Sequence, residues 1–322
     1  MNKQQRGYTL IELMVSLLLG LMLISGFGSL FTQSQKNATV QRSLSYMTDD
    51  GRYILELFGR ELRRAGSLRN RYDVSNGGIP EMIFTADLTD PADTNVLDST
   101  LSFTAGDYIR GEYNVGGFGA TADPHNINRL ALRYQLMNNS ELAPIDLSSS
   151  NSPCERQILL TQGEVDDAAG TPPIEFPSTQ VHLVTLYFYV APDELNIPTL
   201  YCRANRRNRN PIDNTTAHNV TSDASGEPLI SNVEKLVISY GIDTDIGTGT
   251  DENKAANYYA TADSVFDWQK VVSAKLSVVL RSDEDHLTQN KVPYTVDGTK
   301  TTPNDHRLYK VFSTTIAFRN AF

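Results

Sequence analysis

Residues 7–31 read GYTLIELMVSLLLGLMLISGFGSLF, and this stretch decides the architecture of the chain. From Tyr8 to Phe31 the only charged residue is Glu12. A helix of this length, at ~1.5 Å per residue, measures about 36 Å and exceeds a hydrocarbon core of ~30 Å. A secretory signal peptide has a shorter apolar run and no carboxylate near its start. The stretch therefore predicts a helix that spans the membrane and stays attached to the chain.

The residues before this helix and near its start indicate its orientation and a candidate cleavage site. The leader, residues 1–7, is MNKQQRG and has two basic residues and no acidic one, which predicts a cytoplasmic N-terminus and a periplasmic head. Glu12 costs about 2.5–3.5 kcal/mol on membrane-insertion scales, so it needs a cationic partner. A cut after Gly7 would place the new amine of Tyr8 four residues before Glu12, one helical turn away, in the same chain or in a neighbouring one.

The segment from Gly7 to Leu13, GYTLIEL, resembles the processing site of type IV prepilins and pseudopilins. In that family a short basic leader ends in Gly, an aromatic residue follows, and Glu occupies the fifth mature position. The resemblance implies cleavage between Gly7 and Tyr8 by an inner-membrane prepilin peptidase, N-methylation of Tyr8, and use of Glu12 for docking into a filament. Family members most often have Phe where this chain has Tyr8. Loss of the leader would leave 26 basic and 38 acidic residues, a formal charge of −12.

Beyond Phe31 the sequence becomes polar but keeps a helical period. Apolar or small residues recur at steps of three and four, which is typical of an amphipathic helix: Val40, Leu44, Met47, Gly51, Ile54, Phe58 and Leu62. Gly66 is the predicted stop. The expected organisation is a leader (1–7), a membrane half of the helix (8–31), an amphipathic half (32–66) and a periplasmic head (67–322).

The head reads as mostly antiparallel β structure, so the fold class is α+β: a long N-terminal helix packed on one domain or on two abutting sheets. Alternating apolar positions and clusters of Gly, Pro, Asn and Asp predict the strands: 81–85, 101–104, 107–113, 157–161, 181–190, 199–203, 233–240, 270–281 and 307–318. Leu130, Leu132, Tyr134 and Leu136 alternate with Arg129, Arg133 and Gln135, which predicts a strand with one buried face. Long loops are expected at 113–127, 162–179, 204–227 and 282–305.

Three segments of the head resemble PilW-type minor pilins in their amino-acid sequence and in their order along the chain. They are Tyr240 to Asp245 (YGIDTD), Asp267-Trp268 with the strand after it, and Arg307 to Asn320 with its ending STTIAFRN. By the same likeness, the J pseudopilin of type II secretion is a structural cousin.

The PilW resemblance implies a low-copy pilin that primes type IV pilus assembly and sits at the pilus tip. It serves twitching motility and the display of an adhesin. Its implied partners are other minor pilins, the major pilin, a tip adhesin and the prepilin peptidase, and its implied location is the inner membrane before assembly and then the pilus. A pseudopilin of a type II secretion system is the alternative within the same superfamily.

The charge balance argues against one class of partner. With 28 Lys+Arg against 38 Asp+Glu, the net charge is −10, whereas binding of duplex nucleic acid requires a basic face. The run Arg203, Arg206, Arg207 and Arg209 has no interleaved aromatic residues to stack bases. We expect it to form a solvated loop or an intersubunit patch.

The chain contains two cysteines, Cys154 and Cys202, separated by 48 positions. Paired thiols oxidise and persist in a periplasmic domain, which predicts a disulfide. Closing that loop stabilises a fold by about 4 kcal/mol in the chain-entropy model. Two buried free thiols are the alternative.

Asp243, Asp245 and Asp251 lie in the pattern D-x-D-x-G-x-G-x-D, which could bind calcium through alternate carboxylates. Gly and Lys occupy its fifth and twelfth positions, where a full calcium loop has oxygen ligands, so a turn rich in Asp and Gly explains the pattern better than a calcium site does. The sequence has no zinc-protease, nucleophile-elbow or P-loop motif, and we therefore expect no enzymatic activity and no cofactor other than calcium. A membrane-tethered, calcium-dependent binding head is the alternative from another class.

Overall fold

The computed structural model describes residues 9–67, 103, 107–115, 127–137, 154, 181–209, 219–221, 226–245 and 255–319. Its single long helix within these ranges, α1, runs from Leu10 to Arg64. Gly66, at φ 70°, follows the last turn, where only glycine adopts the left-handed conformation without cost. The predicted helix is therefore confirmed to within two residues at each end.

The amphipathic stripe of α1 packs on the head only from Met47 onward. Gly51 faces the Phe312 ring so closely that a Cβ atom there would overlap it. Val40 is half-buried and Leu44 is exposed, so full burial of the stripe begins at Met47. Glu61 is also fully buried, although it carries a carboxylate and is not part of the predicted apolar stripe.

Glu61 Oε1 accepts a charged hydrogen bond from Arg60 Nε (3.1 Å), and Glu61 Oε2 forms an ion pair with Arg64 Nη1 at 3.6 Å. Two cations near one buried carboxylate offset part of its desolvation cost. Removing Glu61 would leave these guanidinium groups beside an apolar core.

Twelve strands make up the described part of the head. They are β1 (Ile109–Val115), β2 (Ile127–Met137), β3 (Val181–Pro192), β4 (Pro198–Arg209), β5 (Asn219–Thr221), β6 (Glu227–Ser231), β7 (Val233–Ile242), β8 (Tyr258–Ala260), β9 (Val271–Arg281), β10 (Tyr294–Val296), β11 (Thr299–Thr301) and β12 (Tyr309–Ala317).

The strands form two antiparallel sheets and a hairpin. The first sheet has the order β1-β2-β3-β4-β5, with β6 also paired to β4. The second has the order β12-β9-β7-β8, and β10 and β11 pair with each other. The predicted α+β class with two abutting sheets is confirmed.

One apolar core joins α1 to both sheets. Phe58 of α1 contacts Phe188 of β3, with ring centroids 4.8 Å apart. Tyr240 of β7 meets Trp268 edge to face at 4.8 Å. The core members from all three layers are buried, so the second half of α1 is part of the hydrophobic core of the head.

Two of the predicted loops contain strands. Residues 204–209 continue β4 and 219–221 form β5, because main-chain pairing with β3 and β4 does not depend on the polar side chains in this stretch. The predicted loop 282–305 contains the β10–β11 hairpin. The hairpin packs Tyr294 and Val296 on the outer face of the second sheet.

The expectation that β2 has one buried face is also wrong in part. Arg129 and Arg133, on the face opposite Leu130 and Leu132, are buried. The Arg133 guanidinium lies 3.7 Å from the Phe103 ring centroid, so this face is covered rather than solvated. The predicted strands 81–85 and 157–161 and the loop 162–179 lie outside the described residues, and of 101–104 only Phe103 is described.

The contacts of α1 give the head a direction. Met47, where α1 enters the head, lines a cleft with Leu280 and Arg281 at the end of β9. At the other end of α1, the Gly66 N–H donates to the Arg133 carbonyl (2.8 Å). The Arg133 N–H in turn donates to the Tyr108 carbonyl. The Tyr108 hydroxyl donates to the carbonyl of Val271, the first residue of β9. The start of β9 therefore lies at the end of the head that is remote from the apolar half of α1.

Asp285 gives the head a predictable acid sensitivity. Its Oδ1 accepts the main-chain N–H groups of His286 (2.7 Å) and His306 (2.8 Å), and these bonds lower the pKa of Asp285 below 3.8. The stabilisation is therefore complete above pH 3.8 and is lost as the pH falls through the lowered value. We expect Asp285→Ala to lower the melting temperature at pH 7, and the difference from the unsubstituted protein to shrink below pH 3.8. A difference that is constant with pH would contradict this assignment.

Candidate assembly site

The start of α1 holds the most informative charged group. Thr9 is the N-cap, and its hydroxyl accepts the Glu12 N–H at 3.4 Å. The Glu12 carboxylate accepts the Thr9 N–H, also at 3.4 Å, which completes a capping box. Both hydrogen bonds are long, so the cap holds the carboxylate only weakly.

The capping role of Thr9 was missed at the level of sequence, although the T-x-x-E spacing was available as its signal. Gly7 and Tyr8 lie outside the described residues, so their predicted cleavage and methylation remain predictions. Because Thr9 directly follows Tyr8 in the chain, an amine created at Tyr8 would begin one residue before the cap. Glu12 would then be the carboxylate of the same helix turn.

The N-terminal half of α1 presents an apolar surface that no described residue of the head covers. The large side chains from Leu10 to Phe31 are all more than half exposed. An 18-residue window of α1 has a mean hydropathy of 2.2, and none of it is buried. In its length and composition this half suits a membrane span, which leaves the buried C-terminal half to hold the head.

The two cysteines are confirmed as a disulfide. Cys154 and Cys202 have Cα atoms 5.8 Å apart, and both are fully buried. Cys202 lies in β4 opposite Phe188 of β3, beside the ring that contacts α1. The disulfide therefore links Cys154 covalently to β4 of the first sheet.

The arginine run does not form the predicted loop. Arg203, Arg206, Arg207 and Arg209 all belong to β4, paired in register with β3. Arg203 is only 2% exposed, so it is not a solvated group. The predicted solvated loop is therefore wrong, and the buried Arg203 side chain cannot belong to an exposed intersubunit patch. For Arg206, Arg207 and Arg209 such a patch stays a prediction.

The predicted calcium ligands are divided between described and undescribed residues. The Oδ1 of Asp243 accepts the Asp245 N–H at 2.9 Å, and the Oδ2 of Asp245 accepts the Asn257 amide at 3.1 Å. Asp251 lies outside the described residues. These bonds tie together the two described ends of the connection between β7 and β8, and calcium binding stays a prediction.

A cleft of about 380 Å³ opens where α1 enters the head. Its lining includes Tyr46 and Asp50 of α1, Arg281 at the end of β9, and Asn232 and Asp283, which adjoin the ends of β7 and β9. Burial, with a smaller contribution from the charge of Asp49, raises the pKa of Asp50 above 3.8. The cleft combines an exposed aromatic side chain with desolvated charge, but among the described residues it contains no arrangement of nucleophile and base.

Two family models match this chain. Residues 187–320 match the type IV pilus-assembly protein W family, and residues 2–28 match the prokaryotic N-terminal methylation motif. No curated protein and no solved structure shows significant similarity to the chain. The resemblance to PilW-type minor pilins is thus confirmed over residues 187–320, and the start of the chain is confirmed to match the N-terminal methylation motif. Together with the exposed apolar half of α1, these matches indicate an anchored protein related to the pilins of type IV pili. Pilin-family domains are structural and not enzymatic.

Proposed function

We propose that this type IV pilus-related pilin is a minor subunit that primes pilus assembly and sits at the pilus tip. The main support for the proposal is that two features occur together in one chain. An apolar helix half is exposed along its whole length and has a carboxylate at its start, and a PilW-like head is fused to its other half. The first feature inserts the subunit into a fibre, and the second sets it apart from a small repeating subunit.

The physical basis of insertion is the mismatch between α1 and its own head. Residues 10–31 expose large apolar side chains that water cannot solvate favourably, so they are stable either in lipid or among similar helices. Transfer from lipid to a bundle of like helices costs little, because both surroundings are apolar. Glu12 then gives the bundle its register through pairing with an amine of a neighbouring chain.

The size of the head favours a terminal position. The head is expected to occupy residues 67–322, and its two sheets share one hydrophobic core with the second half of α1. Such a body packs poorly at every position of a tight helical fibre, but a short complex of minor subunits at the tip accommodates it, because that complex adjoins the repeating fibre on one side only. By resemblance, its partners are other minor pilins, the major pilin and a tip adhesin, with the N-terminus cytoplasmic and the head periplasmic before assembly.

Processing of the leader is the first measurable consequence. We expect the mature chain to lack residues 1–7 and to carry one added methyl group, because the cut after Gly7 creates the amine that Glu12 requires. Intact-mass analysis of the protein purified from native membranes measures both changes. Assembled material that still carries Met1 would contradict the proposal.

Deletion with complementation tests the role in assembly. Loss of the gene should strongly reduce surface piliation and twitching, and the unsubstituted chain should restore both. Normal piliation in the deletion strain would overturn the priming role. If piliation were normal while protein secretion failed, the result would favour the type II pseudopilin alternative.

A further inference from the structure

A nine-residue segment, Ala262–Lys270, leads from Thr261, the residue after β8, into β9 and presents the most exposed large aromatic ring of the described chain. Phe266 lies at its centre and is 100% exposed. We call this segment the Phe266 loop. We propose that it is the docking surface for the fibre subunit on the membrane-distal side of this head, and that Phe266 enters an apolar pocket bordered by Lys or Arg side chains.

The loop is built to hold Phe266 in place. Val265 and Trp268, on either side of it, are buried, and Trp268 packs edge to face on Tyr240 at 4.8 Å. The Arg110 guanidinium lies 5.5 Å from the Trp268 ring centroid, which adds a contact from β1 of the other sheet. Trp268, the second residue of the PilW-like Asp267-Trp268 pair, therefore anchors the loop to the core.

Hydrogen bonds fix the backbone on both sides of the ring. The Ser264 N–H donates to the Thr261 carbonyl at 2.9 Å. Asp267 caps the following 3-10 turn, with its Oδ1 accepting the Gln269 N–H at 3.0 Å. A ring held on two buried neighbours cannot fold back onto the core, so its apolar surface stays in water until a partner covers it. Pre-organised aromatic side chains of this kind are typical interface anchors.

The position of the loop indicates which neighbour covers it. The loop leads directly into Val271, whose carbonyl accepts the hydroxyl of Tyr108 near the C-terminal end of α1. That end is remote from the membrane half of α1. In a fibre that grows from the membrane, the subunit beyond this end is the one incorporated earlier, on the side of the tip.

The charge around the ring specifies the partner's chemistry. Asp263 and Asp267 are both exposed and flank Phe266. Two carboxylates beside the ring would be repelled by anionic lipid headgroups, so a lipid surface is disfavoured. A protein pocket with a basic rim complements both the ring and its flanks.

This inference rests on the proposed function, and its test separates the two. Full-length chains with Phe266→Ala or Leu195→Ala are expressed in the deletion strain, and the amount of each chain in sheared fibres is measured. Leu195 is the matched control: it is 79% exposed on the β3–β4 turn, near Ile197, which lines the cleft at the membrane-proximal end. We expect Phe266→Ala to reduce incorporation about tenfold or more and Leu195→Ala to leave it unchanged, with equal melting temperatures for both variants.

Absence of the unsubstituted chain from fibres would overturn the proposed function. Normal incorporation of Phe266→Ala, with the unsubstituted chain present, would overturn only the docking inference. A second measurement places photoreactive p-benzoylphenylalanine at position 266 in living cells. A covalent adduct with another pilin subunit is expected, and an adduct only with lipid, or none, would overturn the assignment.

The charge of the pocket is tested by Asp263→Lys, which leaves the Asp267 cap intact. If the rim is basic, this variant should be incorporated less than the unsubstituted chain. Unchanged or improved incorporation would overturn the predicted basic rim.

Discussion

Replacement of Glu12 by Ala should nearly abolish incorporation of this chain into fibres. The substitution would leave the amine of an adjoining subunit buried among apolar helices without its counter-charge. Breaking a buried pair in this way costs about 3–5 kcal/mol, which corresponds to a loss of roughly a hundredfold or more in association. The measurement is the amount of chain in sheared fibres relative to the amount in the inner membrane.

Glu12 also accepts the Thr9 N–H in the capping box, so a loss of helix capping must be separated from a loss of charge. Glu12→Gln is the matched variant, because its amide oxygen can still accept that hydrogen bond but carries no charge. If the charge is required, Glu12→Gln fails as Glu12→Ala does. If Glu12→Gln assembles normally, the charge-pairing hypothesis is wrong. Glu56→Ala, an exposed site on the same helix, should assemble normally.

Removal of the disulfide should produce the largest loss of stability in the head. Replacing both Cys154 and Cys202 by Ala releases a loop of 48 residues, and the chain-entropy model gives a loss of about 4 kcal/mol. Both sulfur atoms are fully buried next to the contact between Phe188 and α1, so the substitution also leaves space in the core. Denaturant unfolding of the purified protein measures the change in the free energy of unfolding.

The unsubstituted protein in the presence of a strong reductant is the control for this experiment. If the bridge acts through the unfolded chain, the reduced protein should lose most of the stability that the double-Ala variant loses, and the remaining difference measures the space that Ala leaves in the core. Equal stability of the oxidised protein and the double-Ala variant would show that the disulfide contributes nothing.

The sequence alone was sufficient wherever the physics is local. The apolar run from Tyr8 to Phe31 fixes the length and surface of the anchor, because solvation depends on the side chains themselves and not on what they later contact. The i,i+3/i,i+4 recurrence from Met47 to Leu62 likewise predicted which face of α1 is buried. Glu12 could be recognised because a lone carboxylate in such a run is costly in any tertiary context.

Tertiary structure decided the features that depend on pairing between distant segments. Arg203 lies in a central strand and is buried because β4 pairs with β3 through main-chain groups, and the polar side chains of this stretch gave no sign of that pairing. Arg133 is buried because Phe103, thirty positions earlier in the chain, covers it. Phe266 is the converse case: an apolar residue between two buried neighbours reads as core, yet the anchoring of Val265 and Trp268 turns its ring outward. The chemistry of a side chain determines whether it is more stable in water or in an apolar environment, but only the folded chain determines which of these environments surrounds it.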